Sequence, residues 1–303
     1  MLRFENKYLS KGKRIIAGID EVGRGPLCGP VVASSVVFPQ NIDIPGLTDS
    51  KKLTPKKRDL LYKEIYKLAN YIGIGIVHED RIDDINILES TIEAMRLSVN
   101  DLGIRPEVLL IDGNMKSINN IYQESIVKGD SKSLSIAAAS VIAKVTRDRI
   151  MTQYDMIYPG YGFSRNMGYG TKEHMDAIKS NFSTPIHRKS FNPVSSYLPR
   201  MKDIDDTKKL KRQIAATDLI KNGYEILMVN HSSDSLDILT RKRDSLSAFT
   251  LLNSATIKEI KHQANEAIIS LSIEKDISSS MNISVISVEF SKVKPIIKYK
   301  KYD

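Results

Sequence analysis

Between residues 15 and 127 the apolar positions come in short, β-branched runs punctuated by glycine, the pattern of buried strands. The runs cover residues 15–19, 31–38, 72–77, 108–111 and 126–127. Between them the apolar spacing changes to that of helices. Thr54-Pro55 opens a helix with a cap and a first-turn proline, running to about residue 69. Residues 85–102 carry apolar side chains at helical spacing and stop near Gly103. Residues 133–156 predict a long helix with a small-residue face, Ala137, Ala138, Ala139, Ser140 and Ala143. Such a face lets a helix lie close against a sheet. Residues 158–164, rich in glycine, tyrosine and proline, read as loop.

After Arg200 the character changes. Asp203-Ile204-Asp205-Asp206 is a polar, acidic linker candidate. A helix over 209–221 follows, then strands over 225–229, 236–239 and 246–252, a helix over 256–271 and a strand over 283–290. This small α/β unit is long enough to fold alone, so the expected division is 1–200 and 208–303. The lysines at the end (Lys292, Lys294, Lys298, Lys300, Lys301) read as a solvated tail, with a specific binding element as the alternative.

Composition narrows the function classes. At 303 residues the chain has room for a full core and two domains. Its net charge of +9 is split between +6 up to Arg200 and +3 after it. A mild basic excess fits a polyanionic partner such as nucleic acid, although lysine-rich proteins share it. The single cysteine, Cys28, excludes an intrachain disulfide and a cysteine-based zinc site. No apolar run approaches a membrane span and the start shows no signal-peptide pattern, so a soluble cytoplasmic protein is expected.

The candidate chemistry lies at the ends of three predicted strands. The first ends in two adjacent acids, Asp20-Glu21, and a glycine-flanked arginine follows, Gly23-Arg24-Gly25. Buried carboxylates repel one another unless something neutralises them. For oxygen-only ligands that is a hard divalent cation. The glycines beside Arg24 strip side chains from the backbone, so a bulky anionic ligand can approach. The other two strands end near Asp112 and Asp130. If the strands are neighbours, four carboxylates converge and can hold two Mg²⁺ ions for phosphodiester hydrolysis. Taken alone, Asp112-Gly113 and Gly129-Asp130 also read as ordinary turn dipeptides.

These residues resemble a known family. Residues 19–32, Ile-Asp-Glu-Val-Gly-Arg-Gly-Pro-Leu-Cys-Gly-Pro-Val-Val, are similar to the opening motif of ribonuclease HII. Asp49-Ser50-Lys51-Lys52-Leu53, Ile111-Asp112-Gly113, Lys128-Gly129-Asp130, the run from Ser135 to Asp148, Gly168-Tyr169-Gly170-Thr171 and Pro185 to Phe191 resemble its later motifs. The resemblance spans about residues 13–198. It implies an α/β, RNase H-like fold, a mixed five-stranded sheet flanked by helices. It also implies Mg²⁺- or Mn²⁺-dependent cleavage of RNA in RNA–DNA hybrids, and incision 5′ of single ribonucleotides embedded in duplex DNA. By position, Asp20, Glu21, Asp112 and Asp130 take the catalytic and metal-binding roles. Gly23, Arg24 and Gly25 take the role at the 2′-hydroxyl and scissile phosphate, and Tyr169 stacks on the following sugar. Lys51, Lys52, Lys144 and Arg147 lie in matching motifs and are expected to track phosphates, with a solvated helix face as the alternative for the last two. His174 and His187 are expected to be structural, with His187-Arg188 reaching substrate as the alternative. Met167 stands where the family commonly has lysine, and Cys28 where it has alanine. The arginine of Gly23-Arg24-Gly25 separates the chain from ribonuclease HIII, which has lysine there. A different class, a nucleic-acid-binding protein with an inactive acid cluster, is the competing reading; the completeness of the four acids speaks against it.

The second segment faintly resembles the YraN-like family, with a restriction-endonuclease-like core, through Ala215-Ala216-Thr217-Asp218-Leu219, Gly223-Tyr224-Glu225-Ile226-Leu227, Asn230 and Leu236-Asp237-Ile238. The family's metal-site positions look like Arg212, Ser235, Asp237, Leu251 and Asn253 here, which leaves one carboxylate. That implies a domain without catalysis, assisting DNA binding, contacting a partner or stabilising the fold.

Overall fold

The computed structural model describes residues 1–48, 50, 53–115, 118, 120–230, 236–243, 245–251, 256–271, 281–291 and 294–301. The chain divides into two compact units. The first comprises residues 1–151, 167–170 and 187–196, and the second residues 152–166, 171–186 and 197–303.

The first unit is built on β1 (Ile16–Val22), β2 (Val31–Val37), β3 (Tyr71–Val77), β4 (Val108–Asp112) and β5 (Gln123–Ile126), in spatial order β3-β2-β1-β4-β5. The pairs β3-β2 and β2-β1 are antiparallel, whereas β1-β4 and β4-β5 are parallel. This is the mixed five-stranded sheet that the family resemblance implies. Before β1 comes α1 (Arg3–Leu9), and α2 (Pro55–Leu68), α3 (Glu79–Asp101) and α4 (Leu134–Ile157) flank the sheet. One face packs Ala17, Ile19, Val31 and Ala33 against Ala94, Met95 and Val99 of α3. The other packs Val36 against Leu61 and Ile65 of α2 and the alanine face of α4. The glycines of β3 explain how close α3 lies: a Cβ on Gly73 would stand 2.0 Å from the Ser98 carbonyl oxygen, and one on Gly75 1.9 Å from that of Ala94.

The helix boundaries follow local chemistry. Thr54 Oγ1 accepts from Lys57 N at 3.3 Å, with Pro55 in the first turn, as the sequence predicts. The helix expected over 85–102 begins earlier, at Glu79, and is kinked at Asn86, whose φ is 69°. The Asn86 side chain caps the second segment by accepting from Leu88 N and Glu89 N. Helix α4 is capped from a distance. Glu5 of α1 accepts from Ser135 N at 3.0 Å and from the hydroxyls of Ser133 and Ser135.

The second unit holds α5 (Phe163–Asn166), α6 (Lys172–Asn181), α7 (Thr207–Lys221) and α8 (Ile257–Ser270). The short α5 falls partly in the stretch read as loop. A second sheet, order β10-β9-β8-β7-β6, is made by β6 (Glu225–Val229), β7 (Ile238–Lys242), β8 (Ser245–Thr250), β9 (Asn282–Glu289) and β10 (Ile296–Lys301). Strand β10 corrects the solvated-tail expectation: Lys298, Lys300 and Lys301 belong to an edge strand paired antiparallel with β9. Lysine on an edge strand discourages pairing with other chains. Within this unit the last turns of α4 pack on α7 and β6. Tyr158 and Thr217 hydroxyls meet at 2.8 Å, and Gln153 Oε1 accepts from Ile226 N at 2.7 Å. Among the described residues, no helix is long and apolar enough to cross a membrane.

Candidate active site

Parallel pairing puts the C-terminal ends of β1, β4 and β5 at one edge of the sheet. Ile19 is level with Ile111, so Asp20 and Asp112 follow side by side, and Asp112 is level with Ile126. After β5 the chain turns through Lys128, in a left-handed conformation with φ 56°, into a 3₁₀ turn that carries Asp130. The Asp112 carboxylate fixes this turn by accepting from Gly129 N at 2.6 Å. The four predicted acids are thus on neighbouring elements of one edge.

Their environment is costly for charge. Asp20 is 7% exposed and Asp130 8%. Burial pushes the Asp20 carboxyl well above the usual carboxylate range, and the negative charges of Glu21 and Asp112 push it further. Glu21 is also raised, first by burial and then by Asp112, while Arg24 opposes the shift. The Asp20 carboxylate is held by Glu21 N at 2.7 Å and by the hydroxyl of Ser140, which in turn meets the Ser50 hydroxyl at 2.7 Å. Oriented, oxygen-only, mutually repelling acids fit a hard divalent cation such as Mg²⁺ or Mn²⁺.

The loop after β1 lies beside them. The Arg24 guanidinium is 3.4 Å from Glu21 Oε1, and its side chain is 46% exposed. Tyr169 is 44% exposed, and a Cβ on Gly25 would stand 3.7 Å from its ring. The loop and the tyrosine segment are joined by Leu27 N to Gly168 O at 2.8 Å.

The basic residues divide. Arg147 is not a phosphate contact: it is fully buried, and its guanidinium donates to the carbonyls of Pro30 at 2.9 Å, Met167 at 2.9 Å and Cys28 at 3.0 Å. Sequence spacing put it three residues after Lys144 on one helix face. The carbonyls that bury it come from distant loops, which spacing does not show. Lys144 is half-buried and paired with Asp148 at 2.8 Å, and Asp148 also meets Arg58. Lys51 and Lys52 lie outside the described residues. Two further residues belong to its frame, and the second corrects the alternative that Arg188 reaches substrate. One is Ser140, against Asp20. The other is Arg188, fully buried, which donates to carbonyls of Gly23, Arg24, Pro26 and Gly29. Its motif position, after His187, was the available signal. Both histidines are buried, with His174 edge-on to Phe163 and His187 in a β-bridge with Cys28.

The family model of ribonuclease HII matches residues 17–194. A ribonuclease HII of Enterococcus faecalis is 52% identical over 198 residues, covering 65% of this chain and 77% of that relative. One from Acetivibrio thermocellus is 55% identical over 191 residues, covering 63% and 75%. Among solved structures, the ribonuclease H2 of Pyrococcus horikoshii superposes with a TM-score of 0.53 at 26% identity, covering 60% of this chain and 96% of that one. The ribonuclease HII of Archaeoglobus fulgidus, solved in a complex with PCNA, gives 0.51 at 25% identity, covering 62% and 99%. The family match ends before the second sheet begins.

Proposed function

The chain belongs to the ribonuclease HII family, divalent-metal-dependent endonucleases that cleave RNA in RNA–DNA hybrids, and from that premise we propose that it also incises duplex DNA 5′ of a single embedded ribonucleotide by two-metal-ion hydrolysis. The observation that carries this reading is the meeting of Asp20, Glu21, Asp112 and the Asp130 turn at one sheet edge, beside the Gly23-Arg24-Gly25 loop. Bound Mg²⁺ or Mn²⁺ would supply an activated water and neutralise charge on the leaving 3′ oxygen.

The chain's own residues do the rest. Glu21 N and Ser140 hold the Asp20 carboxylate in one orientation, and Gly129 N does so for Asp112. Arg24 sets a cation against Glu21, where a substrate phosphate would add further negative charge. A 2′-hydroxyl is what marks a ribonucleotide in a DNA duplex. A bare backbone at Gly23–Gly25 suits it, and the exposed Tyr169 ring beside Gly25 suits stacking on the next sugar.

We read residues 1–200 as the catalytic domain and 208–303 as a degenerate, non-catalytic YraN-like domain. In support, the buried Asp237 carboxylate is already bonded to Arg212 Nε at 2.7 Å and to Leu251 N at 2.6 Å. An arginine so placed neutralises the acid that a metal would need.

An end-labelled duplex with one ribonucleotide tests the reading. The full chain is expected to cut once, on the 5′ side, with Mg²⁺ or Mn²⁺ and not in EDTA. Cleavage of continuous hybrids without this incision refutes the single-ribonucleotide activity.

A further inference from the structure

Arg147 and Arg188 are two fully buried guanidiniums with no substrate to bind. Both are spent on one loop. Seven of the eight carbonyls from Gly23 to Pro30 accept a hydrogen bond from Arg147 or Arg188, all but that of Leu27 from a guanidinium. In a trans peptide the N–H points opposite to the C=O. With the Gly23 carbonyl turned inward to Arg188, the N–H of Arg24 faces away from it. With the Arg24 carbonyl turned inward, so does the N–H of Gly25. Successive N–H groups aimed one way form an anion-binding concavity.

The glycines make this possible. A Cβ on Gly23, where φ is +94°, would stand 2.3 Å from Arg147 Nε, and one on Gly29 3.2 Å from Arg147 Nη2. Arg147 also donates to the Met167 carbonyl, two residues before Tyr169. One side chain therefore ties the Gly23–Gly25 loop to the segment that carries the tyrosine ring. The far side of this frame is held too: Asp83 of α3 accepts from Lys189 N and Ser190 N, beside Arg188.

We propose that Arg147 and Arg188 are positioning residues for ribonucleotide selection: they aim the Arg24 and Gly25 N–H groups and set their distance from the Tyr169 ring. The proposal rests on the reading of Gly23–Gly25 and Tyr169 as the ribonucleotide-recognising elements. Its consequence is unequal for the two substrates. On a continuous hybrid, any of many ribonucleotides can fall into register with a slightly misaimed loop. A single ribonucleotide offers one register, so misaim is felt in full.

The test uses Arg147→Lys and Arg188→Lys in the full chain. Lysine keeps the charge, but its compact ammonium cannot span carbonyls that a planar fork reaches. As a control, Leu109→Ala opens a cavity in the sheet core, away from the loop. kcat and KM are measured on a duplex with one ribonucleotide and on a continuous hybrid. Binding of the one-ribonucleotide duplex and its all-DNA counterpart is compared in Ca²⁺. Each arginine variant is expected to lose at least tenfold more kcat/KM on the single ribonucleotide than on the hybrid, and to lose the binding preference for the ribonucleotide. The control is expected to lose similarly on both substrates. Equal losses in the arginine variants overturn the proposal. So does failure of both to fold while the control folds, since the guanidiniums would then serve folding alone. A wild-type chain that cuts hybrids but ignores the single ribonucleotide fails the functional reading itself and takes this inference with it.

Discussion

Asp20→Asn separates what the acid cluster costs from what it does. Asparagine keeps the shape, and its Oδ1 can still accept from Glu21 N, the bond now made at 2.7 Å. The Ser140 hydroxyl, which meets that of Ser50, can turn its hydrogen toward Ser50 and receive the new amide. The substitution removes a charge and little else. That charge is buried and repelled by Glu21 and Asp112. Its removal is expected to stabilise the metal-free protein by roughly 1–3 kcal/mol, in the range by which replacing buried charges with neutral groups often stabilises. That corresponds to about 2–10 °C in Tm for a domain of this size. The sign of the pH dependence follows. A carboxyl raised in the folded state destabilises as pH rises through its range. The Tm advantage of Asp20→Asn in EDTA therefore grows as pH rises and shrinks as pH falls and wild-type Asp20 takes up its proton. Activity moves the other way. Cleavage is expected to fall at least 10³-fold, about 4 kcal/mol of barrier, and the rise in Tm on adding Mn²⁺ is expected to diminish sharply. Thermal melts in EDTA and in Mn²⁺, with a gel assay on a hybrid, measure all of this. Unchanged turnover, or a lower metal-free Tm at neutral pH, refutes the reasoning.

Two further outcomes test other parts of the structure. Tyr169→Ala removes an exposed ring whose stacking is worth about 1–3 kcal/mol; incision at a single ribonucleotide should fall roughly 5- to 100-fold and by more than hybrid cleavage, and equal losses measured side by side argue against stacking. In the C-terminal unit, Arg212→Leu strands the buried Asp237 and should destabilise it by about 3–5 kcal/mol, whereas Arg212→Leu with Asp237→Leu should recover most of that loss; denaturant melts in which single and double variants are equally destabilised count against a buried ion pair.

How much of this was legible follows from where the information sits. The strands of the first sheet were readable because buried strands need apolar, β-branched side chains whatever their partners. The acids were readable because charge at a strand end has few structural uses. The Asn86 kink was not, since an asparagine at φ 69° is chosen by its side-chain bonds to Leu88 N and Glu89 N. Arg147 was misread because a basic residue on a helix looks the same whether it faces phosphates or carbonyls. Its partners at Cys28 and Pro30 are more than a hundred residues away. Strand β10 was misread because alternating lysines describe a solvated tail and a protected edge strand equally well.

The central place of β1 sets an order of events for the growing chain. Strands β1, β2 and β3 form an antiparallel meander of near neighbours in sequence, so their pairing is early and local. Asp20 and Glu21 are therefore in place while the rest of the site is absent. Asp112 arrives only when β4 docks on the opposite side of β1, across about ninety residues, and Asp130 only when β5 and its turn follow. Contacts at such separations are the slow ones to close. Helix α4 then lies over the sheet with its cap supplied by Glu5, which precedes β1 in the chain and meets residue 135 only once α4 is made. A ribosome-bound fragment that ends before Asp112 thus carries the adjacent acids of β1 without their neighbours, and nuclease competence comes with the last strands rather than the first.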